Sequence, residues 1–108
     1  MTSFDDRHKG FESKFAHDEE MNFKAIARRN KLLGQWAAAK LGKTGDDAAQ
    51  YARDTVEADF EREGTEDVVE KVLGDFEKAG LAISAAEIRA EMERLLPVAR
   101  QQIRSEAK

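Results

Sequence analysis

The chain has 108 residues, a net charge of −4 and no cysteine, so disulfide bonds, zinc–thiolate sites and thiol nucleophiles are excluded. This length indicates a single globular domain with a modest hydrophobic core. The longest apolar runs, such as WAAA at 36–39, are much shorter than a membrane span, and the charged N-terminus has no apolar signal core. We therefore expect a cytoplasmic protein without direct membrane insertion.

The chain opens with a narrow apolar stripe on a charged segment, FDDRHKGFESKFAHDEEMNFK, which begins at residue 4. Phe4, Phe11 and Phe15 are spaced at i, i+7 and i+11, which places them on one face of a helix. The residues between them are mostly charged, and residues 1–20 carry six acids and three bases. The stripe therefore has to pack against something, either within this chain or on another protein.

The next two elements are predicted as helices, because glycine and proline are rare and helix-forming residues dominate. Gly42 is suited to end the first helix. Thr44 and Asp47 form an acidic capping box for the second, which ends near Gly64. The apolar faces expected for these helices are Phe23, Ile26, Ala27, Leu33, Trp36, Ala37 and Leu41 in the first, and Ala48, Tyr51, Ala52, Val56 and Phe60 in the second.

Two further helices complete the pattern. Thr65 caps the third, Gly80 ends it, and Ser84 with Glu87 forms the capping box of the fourth. Pro97 lies inside the fourth helix and predicts a kink, because it removes a backbone hydrogen bond at a cost of roughly 3 kcal/mol if nothing compensates. The apolar faces are Val68, Val69, Val72, Leu73 and Phe76 in the third, and Ile88, Met92, Leu95, Leu96, Ala99 and Ile103 in the fourth. The expected fold class is all-α, a small four-helix bundle with a mobile or helical N-terminal arm.

A shift in composition near residues 18–22 divides the chain into an N-terminal arm, residues 1–20, and a bundle, residues 21–108. A helix running from Phe4 to Leu41 would be about 57 Å long, roughly twice the length of the later helices. The arm therefore folds back over the bundle, or lacks structure until it binds, or serves as a helix for another protein.

The first bundle helix is basic, since residues 21–43 carry six bases and no acid. Lys24, Arg28, Arg29 and Lys31 are therefore candidates for contacts with a phosphate or with a partner. The alternative is an exposed face whose cations pair with the acidic second helix.

No catalytic or metal-binding pattern is present in the sequence. The two histidines, His8 and His17, are not placed beside a nucleophile, and they are in the wrong place for the Glu-x-x-His pairs of a carboxylate metal bundle. The stretch GKTGDD lacks the earlier glycine and the preceding strand of a P-loop. Negative net charge argues against nucleic-acid binding. We therefore expect a protein that is not an enzyme, with no catalytic residue, no metal and no required cofactor.

Several motifs go beyond these general patterns. They are FDDR at 4–7, KFAHDEE at 14–20, FK at 23–24, ARRNKLLG at 27–34, WAA at 36–38, LG at 41–42, DF at 59–60 and EDV at 66–68. Together they closely resemble the zeta-type ATPase inhibitor family of alphaproteobacteria, with the most specific motifs in the first 42 residues.

The resemblance implies an inhibitory subunit that binds the catalytic head of the F-type ATP synthase, reaching its large subunits and rotor. It implies that the arm enters a catalytic interface and blocks ATP hydrolysis, while the bundle anchors the protein outside the head. The protein would then be peripheral to the inner membrane through the ATP synthase. The alternative that the resemblance leaves open is a helical bundle that binds or senses ATP or ADP, with weak or no inhibition. Carried onto this sequence, the arm contacts are Phe4, Asp5, Arg7, Phe11, Lys14 and Phe15.

Overall fold

A computed structural model describes the backbone of residues 3–61 and 65–106, and the side chains of residues 19–58 and 66–106. Within these ranges the chain forms four α-helices and no strand, which confirms the predicted all-α class. Predicted features at Phe60, Gly64 and Thr65 lie outside the described side chains. The helices are α1 (Ser3–Lys40), α2 (Gly45–Glu61), α3 (Thr65–Lys78) and α4 (Ala85–Glu106).

The two predicted glycine stops have the expected backbone geometry. Gly42 has a φ of 77°, and the chain closes α1 with hydrogen bonds from Lys43 N to Ala38 O at 2.9 Å and from Gly42 N to Ala39 O at 3.2 Å. Gly80, with a φ of 74°, ends α3 in the same way. A positive φ is accessible to glycine without a steric penalty, so these residues stop the helices where the sequence predicted.

Both predicted N-caps that lie in the described regions begin a helix. The carbonyl of Thr44 accepts the first hydrogen bond of α2, from Ala48 N at 3.4 Å. At α4 the hydroxyl of Ser84 accepts a hydrogen bond from Glu87 N at 3.1 Å and donates one to the Glu87 carboxylate at 3.5 Å. The fourth helix then runs without interruption through Pro97; the kink expected there stays a prediction.

One hydrophobic cluster joins the four helices. The ring of Trp36 packs edge-on against Phe76, with centroids 5.8 Å apart and planes at 75°, a favourable aromatic geometry. Most predicted core positions are confirmed, and the cluster contains Leu33, Ala37, Ala38, Tyr51, Val68, Val69, Val72, Phe76, Ile88, Met92 and Leu95.

The predicted apolar face of α1 is wrong at its N-terminal end. Phe23 is 57% exposed, whereas Ala25, Arg29 and Leu33, which follow one another at four-residue spacing, are buried. Residues four apart lie on one face of a helix, and this row, not the one through Phe23, faces the neighbouring helices. The prediction placed Phe23 on the apolar face because it is large and apolar, and it left Ala25 and Arg29 off that face.

The helices α1 and α2 approach each other closely at Gly34. A Cβ atom at this position would lie 2.7 Å from the Ala52 Cα and 2.9 Å from the Thr55 hydroxyl. Thr55 is held in place because it is buried and donates to the Tyr51 carbonyl at 2.9 Å. The absence of a side chain at Gly34 therefore lets α1 and α2 pack backbone to backbone.

The direction of the helices leaves the N-terminal part of α1 beyond the bundle. Arg28 contacts Glu106 at the end of α4, whereas Ile88 near the start of α4 belongs to the same cluster as Leu33 and Ala37 further along α1, so α4 runs antiparallel to α1. The short turn at 41–44 makes α2 antiparallel as well. The 38 residues of α1 span about 57 Å, against about 25 Å for the 17 residues of α2 and about 33 Å for the 22 of α4. Neither flanking helix is long enough to cover α1 over its full length.

Replacing Gly34 with alanine tests the close approach of the helices. The new methyl group meets backbone at Ala52, so we expect Gly34→Ala to destabilise the fold by about 1–3 kcal/mol, although alanine is the better helix former by about 1 kcal/mol. Gly74→Ala is the matched control, because a Cβ there meets nothing within 4 Å, and it should raise stability slightly. Thermal unfolding followed by circular dichroism measures both; a stabilised Gly34→Ala variant contradicts the packing.

Candidate functional site

The predicted contact residues of the arm all belong to α1. They lie between residues 4 and 15 of the chain, in the N-terminal part of α1, and their side chains lie outside the described residues. Their contacts with a partner therefore stay predictions. The residues are Phe4, Asp5, Arg7, Phe11, Lys14 and Phe15.

A groove lies where the N-terminal part of α1 leaves the bundle, between α1, α2 and α4. Its volume is about 500 Å³. The apolar part of its wall comes from three helices, with Val56 from α2, Ile103 from α4, and Met21, Phe23 and Ala27 from α1. It is an amphipathic groove, since four charged side chains also line it.

Three of the four predicted basic contacts line this groove, together with Glu106. Arg28 donates to Glu106 at 2.7 Å and to Gln102 at 2.9 Å, and so joins α1 to the end of α4. Lys24 pairs with Glu20 at 3.2 Å on the same helix, where both side chains are more than half exposed. Lys31 is exposed and forms no ion pair with the described side chains. Among the described side chains, Arg28 thus pairs with α4 and not with the acidic second helix.

Arg29, the fourth predicted basic contact, is separated from the other three by its burial. Its side chain is 8% exposed and donates two hydrogen bonds to the Asn30 Oδ1, at 3.2 and 2.9 Å. The Nδ2 of Asn30 is buried without a hydrogen-bond partner among the described residues. A role of Arg29 toward an external ligand stays a prediction, while the structure places its guanidinium inside the bundle.

The electrostatic surroundings of the groove are mixed. The pKa of the Glu106 carboxyl is held below its usual value by the hydrogen bond from Arg28 and by the charges of Arg28 and Lys31, so it is ionised at neutral pH. Both α2 and α4 end beside the groove, and the C-terminus of a helix carries a partial negative charge. The groove therefore combines exposed cations on its rim with the paired carboxylate of Glu106 and the negative ends of helices.

A second polar cluster, on the other side of the bundle, was not foreseen from the sequence. The Tyr51 hydroxyl donates to the Asp75 carboxylate at 2.7 Å, and Lys71 donates to the same oxygen at 2.9 Å. The Lys71 ammonium also lies 4.5 Å from the centre of the Tyr51 ring, within cation–π range. The cluster joins α2 to α3, and we interpret it as a structural contact. Its sequence signal, a tyrosine and an aspartate 24 residues apart, is too weak to be recognised.

The comparisons with known proteins agree with the motifs of the arm and the first bundle helix. The family model of ATPase inhibitor subunit zeta matches residues 1–102. The chain belongs to this family. The resemblance seen in the sequence is therefore confirmed, and the family role is regulatory: inhibition of an ATPase.

A solved structure supports the fold of this zeta-family chain. A protein known from a solution NMR structure shares 52% sequence identity with it and superposes with a TM-score of 0.70. The match covers 80% of this chain and 98% of the other. No curated protein matches the chain. In the described parts of the chain, no helix is sufficiently long and apolar to span a membrane.

The pKa of Tyr51 gives a pH-dependent test of the polar cluster. Burial raises this pKa, and the hydrogen bond and negative charge of Asp75 raise it further. The folded state therefore retains the proton, and the resulting stability is complete below the unfolded pKa of about 10 and is lost as pH rises above it. Because Tyr51 is the only tyrosine, absorbance at 295 nm should show tyrosinate near pH 10 in unfolded protein and only at higher pH in native protein.

Stability measurements give the matching result for the same cluster. Tyr51→Phe should lower the free energy of unfolding by about 1.5–3 kcal/mol at pH 7, because it removes a hydrogen bond to a charged group, and this difference should shrink above about pH 10. Burial opposes ionisation of Asp75, but hydrogen bonds from Lys71 and Tyr51 more than compensate and hold its pKa below the usual value. Native titration of Tyr51 near pH 10 contradicts this account.

Proposed function

We propose that the protein inhibits ATP hydrolysis by binding the catalytic head of an F-type ATP synthase and inserting residues 1–20 at a catalytic interface. Membership of the zeta family supports the inhibitory role. The observation that carries the mechanism is the length of α1, which begins at Ser3 and exceeds both helices that flank it. An apolar stripe on such a helix requires a partner, and the proposed partner surface lies between the large subunits and reaches the rotor.

The bundle has a physical role in this mechanism as the nucleus of the arm helix. Forming the first turn of an isolated helix is unfavourable, whereas each further residue added to an existing turn gains a hydrogen bond. Residues 25–38 of α1 are fixed by core contacts, so the helix of residues 3–20 is an extension and needs no new nucleus. Less free energy of binding is then lost on ordering the arm.

The location of the protein in the cell follows from its proposed partner, the ATP synthase. We place the protein in the cytoplasm, peripheral to the inner membrane through the ATP synthase, and with no catalytic role of its own. The alternative, a bundle that binds or senses ATP or ADP, needs a phosphate site, for which the cations of the groove are the candidates. The helix ends and Glu106 beside them disfavour a polyphosphate at that place.

The first test is ATP hydrolysis by a purified F-type catalytic head, titrated with the full chain. Burial of each phenylalanine contributes on the order of 2 kcal/mol, so Phe11→Ala and Phe15→Ala should each weaken inhibition about thirtyfold. The matched control in the arm is Lys14→Ala, which should change inhibition by less than about fivefold because exposed ion pairs contribute at most about 1 kcal/mol. A chain that lacks residues 1–20, checked for helicity by circular dichroism, should not inhibit.

Two results would contradict the mechanism. Wild-type inhibition by the Phe11 and Phe15 double variant removes the apolar stripe from it. Binding of the full chain to the head without inhibition indicates an assembly role instead of an inhibitory one.

A further inference from the structure

We propose that the groove between α1, α2 and α4 is a second docking site for the partner that residues 1–20 bind. The segment of the partner that it binds is an acidic helix with an apolar face. This inference rests on the proposed function, because it assumes that the arm engages the catalytic head. It names the part of the bundle surface that meets this partner and the chemistry of the segment it meets.

The groove lies close to the proposed arm interface along α1. Phe23 lies eight residues after Phe15 on the same helix, which is about 12 Å along the axis and about 80° around it, so a partner that encloses the arm helix can reach both. A stable interface usually uses about 20–30 residues from each partner, somewhat more than the apolar stripe of the arm supplies. A partner surface that holds the arm therefore extends naturally onto the start of the bundle.

Phe23 gives the groove an apolar anchor. It is 57% exposed. Among the described residues, the other exposed large hydrophobic side chain is Val98, at 39%. Aromatic residues beside a concave apolar surface are frequent hot spots of protein interfaces. The floor of Ala27, Val56 and Ile103 offers the matching pocket for a side chain of the partner.

The charges on the rim define the partner as acidic. Lys31 forms no ion pair with the described residues, and the Lys24–Glu20 pair is exposed and exchanges readily with solvent. Arg28 is held by α4 and keeps the wall of the groove in place. Carboxylates on the partner would pair with Lys24 and Lys31, which gives orientation and faster association.

The same electrostatics favour a protein segment over a nucleotide. Phosphates bind at helix N-termini, where backbone N–H groups point at the ligand. Here α2 and α4 present C-termini, and the Glu106 carboxylate lines the groove. A helix with scattered carboxylates can avoid these negative groups, whereas a di- or triphosphate concentrates its charge in one place.

The test measures the affinity of the full chain for a purified F-type catalytic head. Phe23→Ala and Lys31→Glu should each weaken binding about tenfold or more, with only small changes in melting temperature because both side chains are exposed. The matched controls are Val98→Ala, the other exposed hydrophobic residue, and Lys78→Glu, an exposed lysine at the end of α3. Both should bind like the wild type.

The outcomes separate this inference from the proposed function. Wild-type affinity of Phe23→Ala and Lys31→Glu, with weakened binding of Phe15→Ala, overturns the docking groove and leaves the inhibitory arm intact. Absence of binding by the wild-type chain overturns both. Calorimetric binding of ADP that Lys31→Glu abolishes, without any loss of affinity for the head, assigns the groove to a nucleotide and overturns the docking proposal.

Discussion

The mismatch in length between α1 and the helices that flank it governs the organisation of this protein. A helix of 38 residues lies beside helices of 17 and 22, so the bundle is complete while part of α1 still extends past it. The ends of α2 and α4 then define the position of the groove, and Arg28 fixes that end by bonding to Gln102 and Glu106. The two surfaces that we assign to the partner, the arm and the groove, are both consequences of this one difference.

The bundle holds α1 firmly enough to serve as a base for the arm. The absence of a side chain at Gly34 brings the backbones of α1 and α2 together. The contact of the partly buried Trp36 with the buried Phe76 attaches the other end of α1 to α3. Tyr51 and Asp75 link α2 to α3. A force applied to the N-terminal part of α1 would therefore be transmitted to the whole bundle.

Much of this architecture is predictable from the sequence, because the signals are local. Gly42, Gly80, Thr44 and Ser84 act through the backbone of their own turn, and the helices begin and end beside them. The orientation of α1 at its first bundle turns was not predictable in the same way. The burial of Arg29 and the exposure of Phe23 depend on where α2 and α4 end in space, and no property of α1 alone contains that information. The groove was missed for the same reason, since Val56 and Ile103 are 47 residues apart in sequence.

Arg29 and Asn30 form a buried polar pair on α1. The Asn30 amide oxygen accepts two hydrogen bonds from Arg29, and its Nδ2 has no hydrogen-bond partner among the described groups. Because both residues belong to α1, this pair cannot set the register of α1 against α2. That register depends on Gly34, where the absence of a side chain lets the Ala52 backbone come close. Since successive residues of a helix lie about 100° apart, a shift of one residue at Gly34 would turn the arm stripe to another side.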